Sequence, residues 1–153
     1  MEMSSERVVP APVPTVWEAL NNTEVLRECI TGCDRLEELE TGVYDVAMAV
    51  RVGPVNAKFK GRMLLLDVEA PTAYTIKFEG QGGIAGFAKG LAKVSLVPHA
   101  DSEQTLLRYE VSAQIGGKLA QLGSRLVDSA AKKMADDFFE KFVASFSARP
   151  ENA

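Results

Sequence analysis

Histidine and cysteine are nearly missing from this chain. One histidine, His99, and two cysteines, Cys29 and Cys33, stand among 153 residues. A structural zinc site takes four ligands, and no second Cys or His pair is present to complete one. Two cysteines are also too few for a disulfide framework, so they read as free thiols, small apolar side chains where a short helix meets a sheet. His99 falls in the polar turn Pro98 to Asp101, far in sequence from both thiols, which argues against a Cys–His nucleophile. Positive charge is short as well: 17 Lys and Arg against 21 Asp and Glu give a net charge of −4, the wrong sign for non-specific nucleic-acid binding. No apolar run reaches the ~20 residues of a membrane-spanning helix. Met1 to Arg7 lacks the basic-then-apolar pattern of a secretion signal. The expectation is a cytoplasmic protein made in its mature form, with no metal and no cofactor.

What is present is the material of one globular domain. Hydrophobic residues make up 46% of the chain, enough for a core at this length. No internal repeat or linker divides it, so 1–153 reads as a single domain. Only the ends, Met1 to Ser5 and Arg149 to Ala153, read as disordered.

The strongest pattern is C-terminal. From Lys118 to Ser147 there is no Pro and no Gly except Gly123. Leu119, Leu122, Leu126, Ala130, Met134, Phe138, Phe142 and Phe146 form a column mostly four apart, with Val127, Ala131, Ala135, Phe139 and Val143 beside it. These columns are neighbours only on a helix, here about 118–147 and on the order of 45 Å long. A repeat of four exceeds 3.6, so the stripe winds around the axis, as a twisted sheet wrapped around the helix would require.

Ahead of it lie a short strand, about Met3 to Val9, and two short helices. Pro14 suits the first turn of one, and Asn22 or Thr23 can cap the other. Six strand-like segments follow: 33–40, 43–52, 55–68, 73–80, 87–97 and 104–115. Their short connections favour antiparallel neighbours. The fold class expected is α+β: a seven-stranded antiparallel sheet around a long C-terminal helix, with two short helices after the first strand.

Alternation gives this sheet one apolar and one wet face. Tyr44, Val46, Met48 and Val50 face inward, as do Val55, Ala57, Phe59, Gly61, Met63 and Leu65, and Leu107, Tyr109 and Val111. In the sixth strand the inward set is Ala88, Gly90, Ala92, Val94 and Leu96, small near its start. The helix opposite begins with Gly116-Gly117, Ala120 and Gly123. Small residues on both sides either leave a pocket or let backbones approach. On the pocket reading, the lining is Met48, Val50, Phe59, Met63, Phe78, Phe87, Leu91, Leu107, Tyr109, Leu122, Leu126, Ala130 and Met134. The methionines suit a flexible apolar ligand, and the Tyr109 hydroxyl could bond a ligand carbonyl.

On the wet face Lys58, Lys60 and Arg62 alternate along one strand, with Arg51 across the Gly53-Pro54 turn. That reads as four cations with no acid, a surface for anionic headgroups, for an acidic partner, or simply for solubility. The Gly80 to Gly86 stretch precedes a strand and not a helix N-terminus, so a phosphate loop is excluded and a lid over the pocket, or a loose hairpin, is expected. Adjacent carboxylates, Asp136-Asp137 and Glu37-Glu38, diverge and do not converge on a substrate, which leaves no general acid and base pair. No catalytic residue is assigned.

Four segments carry a resemblance: VPTVWEAL (Val13 to Leu20), CITGC (Cys29 to Cys33), VGPVNAKFKGR (Val52 to Arg62) and GGKLAQLGSRLVD (Gly116 to Asp128). With them the chain resembles the carbon monoxide dehydrogenase G-subunit (CoxG) family of the START-like, helix-grip superfamily (SRPBCC) over nearly its whole length. The resemblance implies a sheet gripping the terminal helix with an apolar cavity between, and relatives that hold lipids, sterols, hormones or polyketides there. It implies an accessory to a molybdenum hydroxylase such as carbon monoxide dehydrogenase, either carrying an apolar molecule such as a quinone or recruiting the enzyme to the inner face of the membrane. Longer members have a membrane-touching tail. This chain ends at Ala153, so anchoring by such a tail is not expected. The function expected is a non-enzymatic carrier of a lipid-like ligand. The alternatives are a docking or maturation factor with a filled core, and an enzyme of the polyketide-cyclase type.

Overall fold

The computed structural model describes residues 1–148, so the disorder expected at Arg149 to Ala153 lies outside the described residues. The first strand, β1 (Glu2–Val9), leads through Pro10 and Pro12 into α1 (Val13–Leu20). Pro14 sits in the first turn of α1, where a missing N–H costs nothing. The next helix, α2 (Thr23–Cys29), is capped by Asn22, whose side-chain oxygen accepts from the Glu24 and Val25 amides. Six strands then run in sequence: β2 (Cys33–Glu40), β3 (Val43–Val52), β4 (Val55–Glu69), β5 (Ala73–Gln81), β6 (Phe87–His99) and β7 (Gln104–Ile115). A short helix α3 (Lys118–Gln121) and the long α4 (Ser124–Ala148) complete the described chain.

All seven strands form one antiparallel sheet in the order β1-β7-β6-β5-β4-β3-β2. Each strand except β1 pairs with its sequence neighbour. β1 instead crosses over to close the far edge against β7. Met1 to Ser5 is therefore ordered, contrary to the expectation: Glu2 to Val9 pair with β7, and the Met1 amine donates to the Ala113 carbonyl.

The sheet curls around α4, and glycine lets it bend. A Cβ on Gly61 would overlap the Glu79 carbonyl, and one on Gly90 the Ser112 carbonyl. Only a residue without a side chain allows the neighbouring backbone that close.

The terminal helix is not continuous. Gly123 has φ +93°, a left-handed conformation that ends α3 and starts α4 in a new direction. The remaining 25 residues span roughly 37 Å.

The main core lies under the C-terminal half of α4. Phe139 and Phe142 pack with Val9, Val16, Leu20, Leu96, Leu107 and Tyr109. Phe142 and Val16 are fully buried. A smaller cluster of Val52, Phe59, Ala85 and Leu119 closes the other end.

Candidate functional site

Between these two clusters the sheet and helix do not meet, and a cavity of about 530 Å³ remains. Its floor is the inward face of the sheet: Tyr44, Val46, Met48 and Val50 from β3, Phe59 and Met63 from β4, Tyr74, Ile76 and Phe78 from β5, Ala88, Ala92 and Val94 from β6, and Leu107, Tyr109 and Val111 from β7. Its roof is Val127, Ala130, Ala131, Met134, Ala135, Phe138 and Phe139 of α4. Leu20, Leu26, Ile30 and Leu36 close one side. Lys60 and Arg62 border it only beside Gly61, since alternation turns their side chains to the outer face.

The question of small residues resolves both ways. Gly86 is pressed against Gly116 and Gly117, whose backbones leave no room for a Cβ, so the glycines at that end are tight packing. The alanines, Ala88 and Ala92 facing Ala130 and Ala131, leave the void.

Of the residues expected to line a pocket, Met48, Val50, Phe59, Met63, Phe78, Leu107, Tyr109, Ala130 and Met134 do border this cavity. Phe87, Leu91, Leu122 and Leu126 do not, and each has a geometric reason. Phe87 and Leu91 are odd-numbered residues on a strand whose even positions face inward, so parity places them on the outer face, where both are exposed. Leu122 caps α3 and packs into the smaller cluster. Leu126 lies beside the turn at Gly53 and is also exposed. At 100° per residue, Leu126 is roughly 160° around the helix from Phe142, so the four-spaced column has left the sheet by then. The neighbouring column, Val127, Ala131, Ala135 and Phe139, is the one that roofs the cavity. Sequence reading also missed Tyr74, although the alternation Tyr74, Ile76, Phe78 carried the signal.

The polar groups in the cavity are few. All three tyrosines, Tyr44, Tyr74 and Tyr109, line it. Burial, followed by the nearby Glu38 carboxylate, raises the phenol of Tyr44 above its ordinary value. Burial pushes the phenol of Tyr74 far up, so it stays protonated. The ring of Trp17 meets Tyr74 edge-on at 5.3 Å, and Phe139 stacks on Tyr109 at 5.0 Å. Thr105, wholly buried, donates to the Ala11 carbonyl at 2.7 Å and is committed to holding the β1–α1 connection. Arg7 points inward from β1 and pairs with Asp136 of α4, its guanidinium 5.5 Å from the Phe139 ring centre.

Elsewhere the chemistry is sparse. Burial raises the thiols of Cys29 and Cys33, so neither is an activated thiolate. Among the described residues no cluster of His, Cys, Asp and Glu is placed to hold a metal ion. His99 is exposed at the end of β6. Asp136 and Asp137 bond Lys132 and Lys133 one turn away, as solvated ion pairs.

The basic patch needs correction. Arg51, Lys58, Lys60 and Arg62 do share the outer face, but Asp45 stands directly opposite Arg62, 3.7 Å away, and 3.0 Å from Arg35. Asp45 is on that face by simple alternation from Arg51, so the patch is not free of acid. Arg51, Lys58 and Lys60 have no ion-pair partner among the described residues. Ile84, at the tip of the Gly83–Ala85 turn that follows β5, is 79% exposed, whereas its neighbour Ala85 is buried.

No described helix is long and apolar enough to cross a membrane. A profile of the carbon monoxide dehydrogenase G-subunit family, CoxG, matches residues 6–147. The chain belongs to that family. A conserved protein from Geobacillus kaustophilus is 28% identical, with a TM-score of 0.89 over 96% of this chain and 95% of that one. A START superfamily protein from Mycobacterium smegmatis is 12% identical, with a TM-score of 0.72 over 94% and 95%. An aromatase/cyclase, ZhuI, from a Streptomyces species is 16% identical, with a TM-score of 0.68 over 99% and 96%. The last two likenesses show the fold, a START-like helix grip. No curated protein sequence matches the chain.

Proposed function

We propose that this member of the CoxG family is a non-enzymatic carrier of an apolar, lipid-like molecule, an isoprenoid quinone being the class that fits best, and that it serves a molybdenum hydroxylase of the carbon monoxide dehydrogenase type. One observation carries the reading: a cavity of about 530 Å³ with an almost wholly apolar lining. That volume lies within the roughly 300–1,000 Å³ of small-molecule pockets. Empty apolar space of this kind is unfavourable, because its walls lose the packing contacts that a filled core would give. Water is a poor filler, because apolar walls offer it few hydrogen bonds. An apolar tail gains about 25 cal/mol per Å² buried.

A docking factor with a filled core does not agree with this void. A cyclase would need convergent acid and base groups; the polar groups facing into the cavity are the phenols and the Met1 amine, while Lys60, Arg62 and Glu79 border it from outward positions of β4 and β5.

Native mass spectrometry of the purified protein is expected to show a copurifying apolar molecule. Titration of delipidated protein with quinones of graded tail length is expected to show affinity rising with length. Equal binding at every length, or none, overturns the proposal. The outer-face cations are the surface offered to the hydroxylase: reversing Lys58 and Lys60 to Glu should weaken its capture at least tenfold while leaving ligand affinity unchanged, and unchanged capture removes that surface from the proposal.

A further inference from the structure

The cavity is apolar but not uniformly so, and its few polar groups are placed in order. Tyr74 is opposite Val94 in the β5–β6 pairing, and Val94 is opposite Tyr109 in the β6–β7 pairing. The two tyrosines thus lie in one row across the floor, with Cα atoms about 10 Å apart at ~4.8 Å per strand. Both side chains point to the concave side, where a curled sheet brings them nearer together. Tyr74 is 6% exposed and Tyr109 7%. Neither hydroxyl has a hydrogen-bond partner among the described residues, yet neither oxygen is sealed off by protein. The third tyrosine differs, because the Glu38 carboxylate stands near the Tyr44 phenol and, after burial, raises it. Edge contact from Trp17 and stacking by Phe139 fix the two free rings before any ligand arrives, so little ordering remains for binding to cost.

An apolar occupant would cut these hydroxyls off from water and leave them without partners, which is unfavourable; an occupant with oxygen atoms at that point avoids the penalty. The sign of the occupant's charge follows from what is absent around the row. The inward cation nearest the core, Arg7, is neutralised by Asp136. The cations bordering Gly61 turn outward, where Arg62 meets Asp45. The Met1 ammonium also borders the cavity, but four residues along the chain from Ser5, the β1 partner of Tyr109, and it is bonded to the Ala113 carbonyl. At the tyrosine row itself an ionised head would meet two phenols and no counter-ion, and burying an unpaired charge is costly.

We propose that Tyr74 and Tyr109 form a head-group site that selects an uncharged amphipath bearing hydrogen-bonding oxygens, and that rejects both oxygen-free hydrocarbons and ionised lipids such as fatty acids. This rests on the carrier reading and adds the chemistry of the ligand's polar end.

The test uses three probes with the same tail on delipidated protein at neutral pH: a decyl-substituted 1,4-benzoquinone, decylbenzene, and 4-decylbenzoate. The benzoquinone is expected to bind tightest, with 4-decylbenzoate at least tenfold weaker. Tyr74→Phe and Tyr109→Phe should each weaken the benzoquinone roughly 3- to 10-fold, the worth of one neutral hydrogen bond, and should leave decylbenzene unchanged. Thermal midpoints of the ligand-free variants should not fall, since the hydroxyls removed have no partner in the protein. Equal losses for benzoquinone and decylbenzene would mark the tyrosines as packing only and overturn the site. Binding of 4-decylbenzoate as tight as that of the benzoquinone would overturn the selection against charge. If decylbenzene matches the benzoquinone in the wild type, the carrier stands and the head-group site does not; if no probe binds, both fail.

Discussion

The two halves of α4 face the same sheet and do opposite things. Toward its C-terminus the helix presents Phe138, Phe139, Phe142 and Phe146, whose rings meet edge-on or stacked along the helix, with Phe139 stacked on Tyr109. Toward its N-terminus it presents Val127, Ala130, Ala131 and Ala135, and the space opposite stays open. Backbone geometry is alike in both halves. The difference is side-chain volume: an aromatic ring fills the gap between helix and sheet, and an alanine methyl does not. The aromatic half anchors the grip so that the alanine half can roof a void without collapsing onto the sheet. Core packing and cavity formation are separable along one helix, and each half should respond to substitution in its own way.

The largest effect should come from the anchor. Phe142→Ala removes a fully buried ring and is expected to cost about 3–5 kcal/mol, read as a drop in the midpoint of urea unfolding. A loss under 1 kcal/mol would mean that the aromatic half is not the anchor, and the comparison would break. The roof should behave in the reverse sense. Ala131→Phe puts a ring into the cavity, where space exists for it. Stability should change by no more than about 1 kcal/mol in either direction, while affinity for a decyl-substituted benzoquinone falls at least tenfold. If stability instead drops as far as for Phe142→Ala, the roof is packed and not open.

The smallest effect concerns the junction of the halves, where Asp136 pairs with Arg7 and Lys132. The hydrogen bond from Lys132, with Arg7 adding to it, holds the Asp136 carboxyl below its ordinary value of 3.8. A carboxyl depressed by folding stabilises the folded state above its unfolded value, and that contribution drains away as pH falls through the folded one. Stability of the wild type should therefore decline below about pH 4 more than that of Asp136→Asn, in urea unfolding repeated down the acid range. Because the carboxylate is solvated, the gap should be small; parallel curves would show that this ion pair does not tie strand to helix.

Much of the fold was legible because most strands carry a period of two, β1, β6 and β7 clearly so. β2, β3 and β7 end at the residues expected, and Asn22 caps as its residue type implies. The lining of the cavity was legible where that parity was followed, as for Met48, Phe59, Met63 and Tyr109. It was misread where a residue's character outweighed its position: Phe87 and Leu91 are apolar but on the outer face, and Asp45 was overlooked in a row of cations. Leu126 was misread for a different reason. A column spaced by four drifts roughly 40° at each step, and how far the sheet follows that drift is not a local property.

Sequence alone determined the order of elements, the faces of the strands and the helical character of the C-terminus, because periodicity is a property of neighbours along the chain. Tertiary structure alone decided that β1 would close the sheet against β7, that Gly123 would break the helix, and that glycines would pack tightly at one end while alanines left a cavity beside them. Those outcomes depend on distances between segments far apart in the chain. Whether two small side chains meet or leave a gap is set by how the larger ones around them hold the backbones apart.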